Sequence, residues 1–213
     1  MAQELLEKIQ AAVVNMQPEA ARALTEQALK DGVRPLELLR RGLIAGLEVV
    51  GVKFKNDEIF LPEVMLSAKA FQEAFRLIEP LLKAGDYRPR GKVLIGTVAG
   101  DVHDIGKNIV AVLLKGNGYA VVDAGADVAA GRFIELAQAE QPDVIGLSAL
   151  LTTTMPVMKK VIEELNKTGL RERVKVIIGG APVTADYARS IGADGYGEDA
   201  QAGVTLVNSW LPE

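Results

Sequence analysis

Residues 92–116 read Lys92-VLIGTVAGDVHDIGKNIVAVLLK-Gly116, and two changes of pattern inside this stretch decide the fold. Residues 92–98 are a short apolar run rich in β-branched side chains, the composition of a buried strand. Gly100-Asp101-Val102-His103-Asp104-Ile105-Gly106-Lys107-Asn108 is a glycine-bounded polar turn, and residues 105–116 carry a helical pattern. Strand, turn and helix make the first half of a crossover unit. The alternation continues downstream, with strands predicted at 119–122, 144–147 and 174–178, helices at 132–141 and 156–167, and a short fifth strand at 193–196. Strands alternating with helices imply right-handed crossovers and a parallel sheet covered on both faces. Residues 92–213 are therefore expected to form a flavodoxin-like, doubly wound, parallel five-stranded sheet.

Upstream the period is different. Leu5, Ile9, Ala12 and Met16 fall on one helix face, as do Leu36, Leu39, Leu43, Leu47, Val50 and Phe54. Val64, Ala68, Phe71, Phe75, Ile78 and Leu82 form a third such set. Pro18 and Pro35 stand where a helix start tolerates a missing N–H, and Gly32 suits a helix end. Four amphipathic helices with short connections make a bundle. The whole chain is thus expected to be α + α/β: a four-helix bundle over 1–83, a linker at 84–91 (AGDYRPRG), and the sheet domain over 92–213. Gly42 and Gly46, one turn apart, predict close approach of two helices.

At 213 residues, 49% hydrophobic and 24% charged, the chain can bury one large core or two modest ones. A net charge of −4 argues against an extended nucleic-acid surface, which would need a basic stripe. The absence of cysteine excludes disulfides, thiolate metal sites and cysteine nucleophiles. MAQELLEKIQ at the N-terminus is not a signal peptide, and no run reaches the ~20 apolar residues of a membrane span. A cytoplasmic protein with no membrane partner is the expectation.

In a doubly wound sheet, ligands bind beyond the carboxyl ends of the strands, where the strand order switches. Three loops should meet on that rim: residues 100–108, 148–154 and 179–182. His103 is the only histidine in the chain. An imidazole that binds metal through one nitrogen needs an acceptor for its other N–H, and Asp101 can serve if the turn folds it back. With no second histidine and no cysteine, His103 cannot join an ordinary tetrahedral zinc site. A metal content with one protein ligand must bring its others, as a tetrapyrrole-type macrocycle does. The dinucleotide alternative is poorly supported: Gly96, Gly100 and Gly106 do not make G-x-G-x-x-G, Asp123 only weakly echoes a ribose-binding acid, and Gly106-Lys107-Asn108 is no phosphate loop.

Asp101-x-His103-x-x-Gly106, then Ser148-x-Leu150, then Gly179-Gly180 together resemble the three-part signature of proteins that bind cobalamin with its own base displaced. The run Gly42-LIAGLEVV-Gly51, then Phe54 and Glu58-Ile-Phe60-Leu-Pro62-Glu-Val-Met65, resembles the cap domain of methionine synthase and of the corrinoid proteins serving methylamine, methanol, methoxyaromatic and glycine betaine methyltransferases. The resemblance implies a cobalamin (methylcobalamin or a related corrinoid) whose cobalt takes His103 as its lower ligand. It also implies a His103–Asp101–Thr154 relay, tail contacts from Ser148 and Thr152, and a channel beside Gly179, Gly180 and Ala181. Val102, Asp104, Ile105, Gly106 and Leu150 would border the cofactor. For Asp104 the preferred reading is a helix N-cap, and N-capping before Pro156 is a second reading of the threonines at 152–154.

Phe60, Val64 and Phe71 are candidates for covering the upper face, with bundle core the equal alternative for Val64 and Phe71. The function so implied is a methyl carrier. It would accept from a substrate-specific methyltransferase and deliver to a corrinoid-dependent acceptor methyltransferase serving tetrahydrofolate or a thiol, with a reductive activation protein as a further partner. Two alternatives are the small subunit of a cobalamin-dependent mutase, against which the helical half counts, and a cobalamin-sensing regulator, for which no DNA-binding segment is evident.

Overall fold

The computed structural model describes residues 2–82 and 89–211, which divide into two compact units. One comprises Met1–Pro89 with Lys115–Gly118, the other Arg90–Leu114 with Tyr119–Glu213. Of the expected linker, residues 84–88 lie outside the described residues, and the division falls between Pro89 and Arg90.

The first unit holds α1 (Ala2–Val14), α2 (Pro18–Lys30), a long third helix and α5 (Leu61–Ile78). The third helix runs without a break through α3 (Pro35–Glu37), a π-helical stretch Leu38–Ile44 and α4 (Ala45–Lys55). Pro18 and Pro35 open their helices as expected. Glu63 reaches back to accept the Phe60 backbone N–H at 3.1 Å, which ties down the start of α5. One expectation fails at the end of α1. The helix stops at Val14 and Met16 adopts φ +59°, so the buried face is Leu6, Ile9, Ala12 and Val13. The proline at 18 disfavours helical backbone at Gln17, and the chain must turn before it.

The two helix glycines do what their spacing predicts. A β-carbon on Gly42 would lie 3.0 Å from Ile9 Cγ2, and one on Gly46 would lie 2.8 Å from Val13 Cβ. Backbone of the third helix therefore packs directly on α1. Gly46→Ala gains about 1 kcal/mol of helix propensity. It meets an overpacking cost of about 1–3 kcal/mol, because a helix backbone rather than a flexible tip must yield. A net loss in denaturant melts is expected. Gly131→Ala, where a β-carbon meets nothing within 4 Å, should be neutral or stabilising.

The second unit is a five-stranded parallel sheet of order β2-β1-β3-β4-β5, with β1 (Lys92–Thr97), β2 (Ala120–Asp123), β3 (Val144–Ser148), β4 (Lys175–Gly179) and β5 (Gly195–Gly197). The helices are α6 (Ile105–Gly116), α7 (Ala130–Glu140), α8 (Pro156–Lys167), α9 (Ala185–Ile191) and α10 (Ala200–Trp210); neither of the last two was anticipated. Leu94, Ile145, Leu147, Val176 and Ile178 of the strands share one core with Phe133, Ile134, Met158, Val161, Ala188 and Ile191 from α7, α8 and α9. Gly96 belongs to that packing, since a β-carbon there would lie 2.7 Å from the Phe133 ring. The chain leaves β1 toward β2 on one side and returns to β3 on the other. The strand order therefore switches between β1 and β3, whose carboxyl ends are in register at Thr97 and Ser148.

Candidate functional site

Beyond Thr97 the chain turns through Gly100, at φ +82°, and sends the Asp101 side chain inward, where it is fully buried. A buried carboxylate must be met by donors. Oδ1 accepts the His103 backbone N–H at 3.0 Å and the His103 Nδ1–H at 2.7 Å. Oδ2 accepts the Leu150 and Leu151 backbone N–H groups at 2.7 and 3.1 Å, and the Thr154 hydroxyl at 3.0 Å. Burial pushes the Asp101 carboxyl up. The bonds from the His103 and Leu150 backbone and from the His103 and Thr154 side chains together overcome it and hold the group well below the usual carboxylate range. An ionised carboxylate can only accept, so Nδ1 carries a proton, and in the neutral imidazole Nε2 is the nitrogen with the lone pair.

That imidazole is half exposed, at 48% of its side-chain surface. It stands among large apolar side chains that are also exposed: Val102 at 71%, Ile105, Leu150 and Leu151. Scattered exposed apolar residues need no explanation, but four on two loops joined through one carboxylate mark a binding surface. Among the described residues no group of three or more histidine, aspartate and glutamate side chains could hold a metal ion. The set therefore suits a metal that arrives with an equatorial macrocycle: one imidazole nitrogen to offer, and apolar surface around it.

The third loop contributes backbone. The Ala149 N–H donates to Gly179 O at 3.2 Å, and Gly180 lies at φ +128° where a β-carbon would fall 1.8 Å from Ala149 O. Only glycine fits there. Ser148 ends β3 in a half-buried position, Thr152 and Ala181 are exposed, and an added β-carbon on Gly106 would meet open space. Asp104 stands just before α6, its carbonyl accepting the Asn108 N–H at 2.8 Å. The threonine N-cap reading is not met: α8 has no side-chain cap, and the Thr154 hydroxyl reaches Asp101 and Leu151 O instead. In the helical unit, Phe60 is 64% exposed whereas Val64 and Phe71 are buried, and Phe71 stacks on Phe75 with ring centroids 5.5 Å apart. Burial favours the core reading for those two.

Three features escaped the sequence reading. Leu151 joins Leu150 in donating to Asp101. Thr97 Oγ1 donates to His103 O at 3.1 Å. Lys107 is buried and pairs with both carboxylate oxygens of Asp123, at 2.7 and 2.8 Å. Asp123 is thus engaged, which removes the last echo of a ribose-binding acid. A lysine amid the apolar residues of α6 was the available signal for that pair.

Residues 91–205 match a family model described as B12 binding domain, and residues 5–79 match a second model of the same description. The trimethylamine corrinoid protein of Methanosarcina barkeri is 41% identical over 211 residues, 98% of this chain and 97% of that one. A dimethylamine corrinoid protein of Methanosarcina acetivorans is 44% identical over 210 residues, 98% of each chain. This chain belongs to the corrinoid protein family. Among solved structures, a chain of the methanol:cobalamin methyltransferase complex from Methanosarcina barkeri superposes with a TM-score of 0.90 at 33% identity, covering 98% of this corrinoid protein and 80% of that chain. The cofactor of such a protein is a corrinoid, and its function is to carry a methyl group between methyltransferases. No helix among the described residues is long and apolar enough to cross a membrane.

Proposed function

We propose that this corrinoid protein accepts its methyl group from a methyltransferase specific for a methylated amine and delivers it to a second, corrinoid-dependent methyltransferase serving tetrahydrofolate or a thiol. His103 would be the residue that holds the cobalt in this reading, and the observation that carries it is the imidazole whose Nδ1–H is committed to buried Asp101 at 2.7 Å. When bound, the corrinoid supplies the cobalt on which the methyl group travels. The chain's own residues do the rest. Asp101 fixes the imidazole tautomer and keeps Nε2 as the donor nitrogen. Thr154 and the Leu150 and Leu151 amides hold the carboxylate still. Val102, Ile105, Leu150 and Leu151 give an apolar floor that keeps water from the ligand, while Ser148, Thr152, Gly179, Gly180 and Ala181 line the path for the cofactor tail. Phe60, exposed at the start of α5, is the helical unit's candidate for the cofactor's upper side.

The amine class is supported by relatives that bear trimethylamine and dimethylamine in their names at nearly equal identity, which does not choose between the two. A reductive activation protein would complete the system. The helical residues 5–79, matched by their own B12 binding model, favour a carrier over a mutase subunit. The test is to load the purified protein with cobalamin, reduce it to the cobalt(I) state with a chemical reductant, and supply trimethylamine, dimethylamine, methanol, a methoxyaromatic or glycine betaine, each with its cognate methyltransferase. Methylation, followed by absorbance, should occur with an amine pair. Loading only by a non-amine pair would overturn the donor class, and loading by none would overturn the carrier reading.

A further inference from the structure

The ligand motif accounts for what Asp101 does to the imidazole, but the turn that carries both must itself be held. We propose that Thr97 and Asp127 are positioning residues for the His103 turn, gripping its main chain from outside the motif so that the imidazole is presented before any corrinoid arrives. The proposal rests on His103 as the cobalt ligand.

Thr97 is the last residue of β1 and is wholly buried, with its hydroxyl donating to His103 O at 3.1 Å. Asp127 lies in the loop between β2 and α7. Its Oδ1 accepts the Gly100 N–H at 2.7 Å, and its own N–H donates to Asp101 O at 2.9 Å. Three main-chain groups of the turn, at Gly100, Asp101 and His103, are thereby tied down. Asp127 adopts φ +55°, a region that costs a non-glycine residue about 1–2 kcal/mol, although aspartate is among the types that tolerate it. Such a conformation persists where its surroundings demand it.

The loop carrying Asp127 is itself fixed at both ends. Ala124 N donates to Ile95 O at 2.8 Å, Thr97 N to Gly125 O at 3.0 Å, and Val128 N to Thr97 O at 3.0 Å, which extends the β1 pairing beyond the strands. At the near end Asp123 accepts both Lys107 Nζ and the Gly125 N–H, the latter at 2.9 Å. Lys107 stands on α6 directly after the turn, so turn, loop and helix close into one hydrogen-bonded frame. Supporting partners of metal ligands act in this way, by limiting how far the ligand can stray.

The single histidine makes the test clean, because selective ¹⁵N labelling yields one imidazole in the cofactor-free protein. Thr97→Val keeps the volume and removes the hydroxyl; Asp127→Gly keeps the positive φ and removes the acceptor. Each should speed exchange of the His103 Nδ1–H by roughly three- to tenfold, the equilibrium shift of one net hydrogen bond. After loading with cobalamin, each should lower the His-on to His-off ratio by a similar factor. Asp127→Asn, which retains Oδ1, should restore both. Wild-type exchange in both folded variants would overturn the proposal. Should a variant fail to fold, the unsubstituted protein decides: the Gly100 and Asp127 amides should exchange as slowly as those of β1 and β3, and free-loop rates would overturn it. A loaded wild-type protein with no His-on spectrum would instead overturn the ligand reading, and the cofactor-free exchange data would still judge the positioning.

Discussion

Asp101→Asn should destabilise the cofactor-free protein by about 2–4 kcal/mol in denaturant unfolding, because an amide cannot serve donors on both sides. One carboxylate oxygen faces two groups of His103, and the other faces Leu150 N, Leu151 N and the Thr154 hydroxyl. Whichever side receives the amide nitrogen meets donors with a donor, in a site closed to water. Thr154→Val, which removes one donor and leaves the carboxylate its others, should cost only about 1 kcal/mol. The acid side of the stability curve should change as well. The folded carboxyl is held below its ordinary value, so its contribution is fully present above the unfolded pKa of about 3.9 and is lost as pH falls through the lower folded value. Wild type and Asp101→Asn should therefore run parallel above about pH 5 and converge below about pH 4. A variant within about 0.5 kcal/mol of wild type at neutral pH would show that the carboxylate does not tie the two loops together.

Sequence periodicity served well where one pattern decided each segment. The strand–turn–helix at 92–116 and the four helical segments needed only local rules, and strand ends differ by one or two residues because pairing with a neighbour, not composition, decides where a strand stops. Gly42 and Gly46 were legible because a helix has few other uses for two glycines one turn apart. Less legible were features that need a third dimension. Nothing local shows that Asp101 reaches across fifty residues to the amides of Leu150 and Leu151, or that Gly96 makes room for Phe133 rather than for a ligand. The π-helical register at Leu38–Ile44 has no signature in side-chain spacing either. The donor role of Thr97 and the acceptor role of Asp127 were hidden for the same reason: the partners are main-chain atoms, and any residue supplies those.

His103→Ala should produce the opposite profile to Asp101→Asn: little loss of stability and complete loss of the His-on spectrum. The imidazole is half exposed and makes one side-chain hydrogen bond, so its removal leaves little cavity and costs about 1 kcal/mol or less. Alanine keeps the backbone N–H that Asp101 Oδ1 accepts at 3.0 Å, and the Leu150, Leu151 and Thr154 bonds do not involve residue 103. The fold and the apolar floor should therefore survive, with corrinoid still bound through its tail. Methyl transfer should fall by at least the ~10–100-fold typical of losing a mere supporting partner of a metal ligand. Because the vacated space opens to solvent and Asp101 remains ionised beside it, free imidazole added to the variant should enter, donate one N–H to the carboxylate and restore the ligated spectrum in a concentration-dependent way. Asp101→Asn, with its own imidazole still tethered but poorly held, should not respond to the additive. A His-on spectrum persisting in His103→Ala without imidazole would remove this residue from the metal, and a stability loss matching that of Asp101→Asn would mean the histidine supports the fold rather than the cobalt.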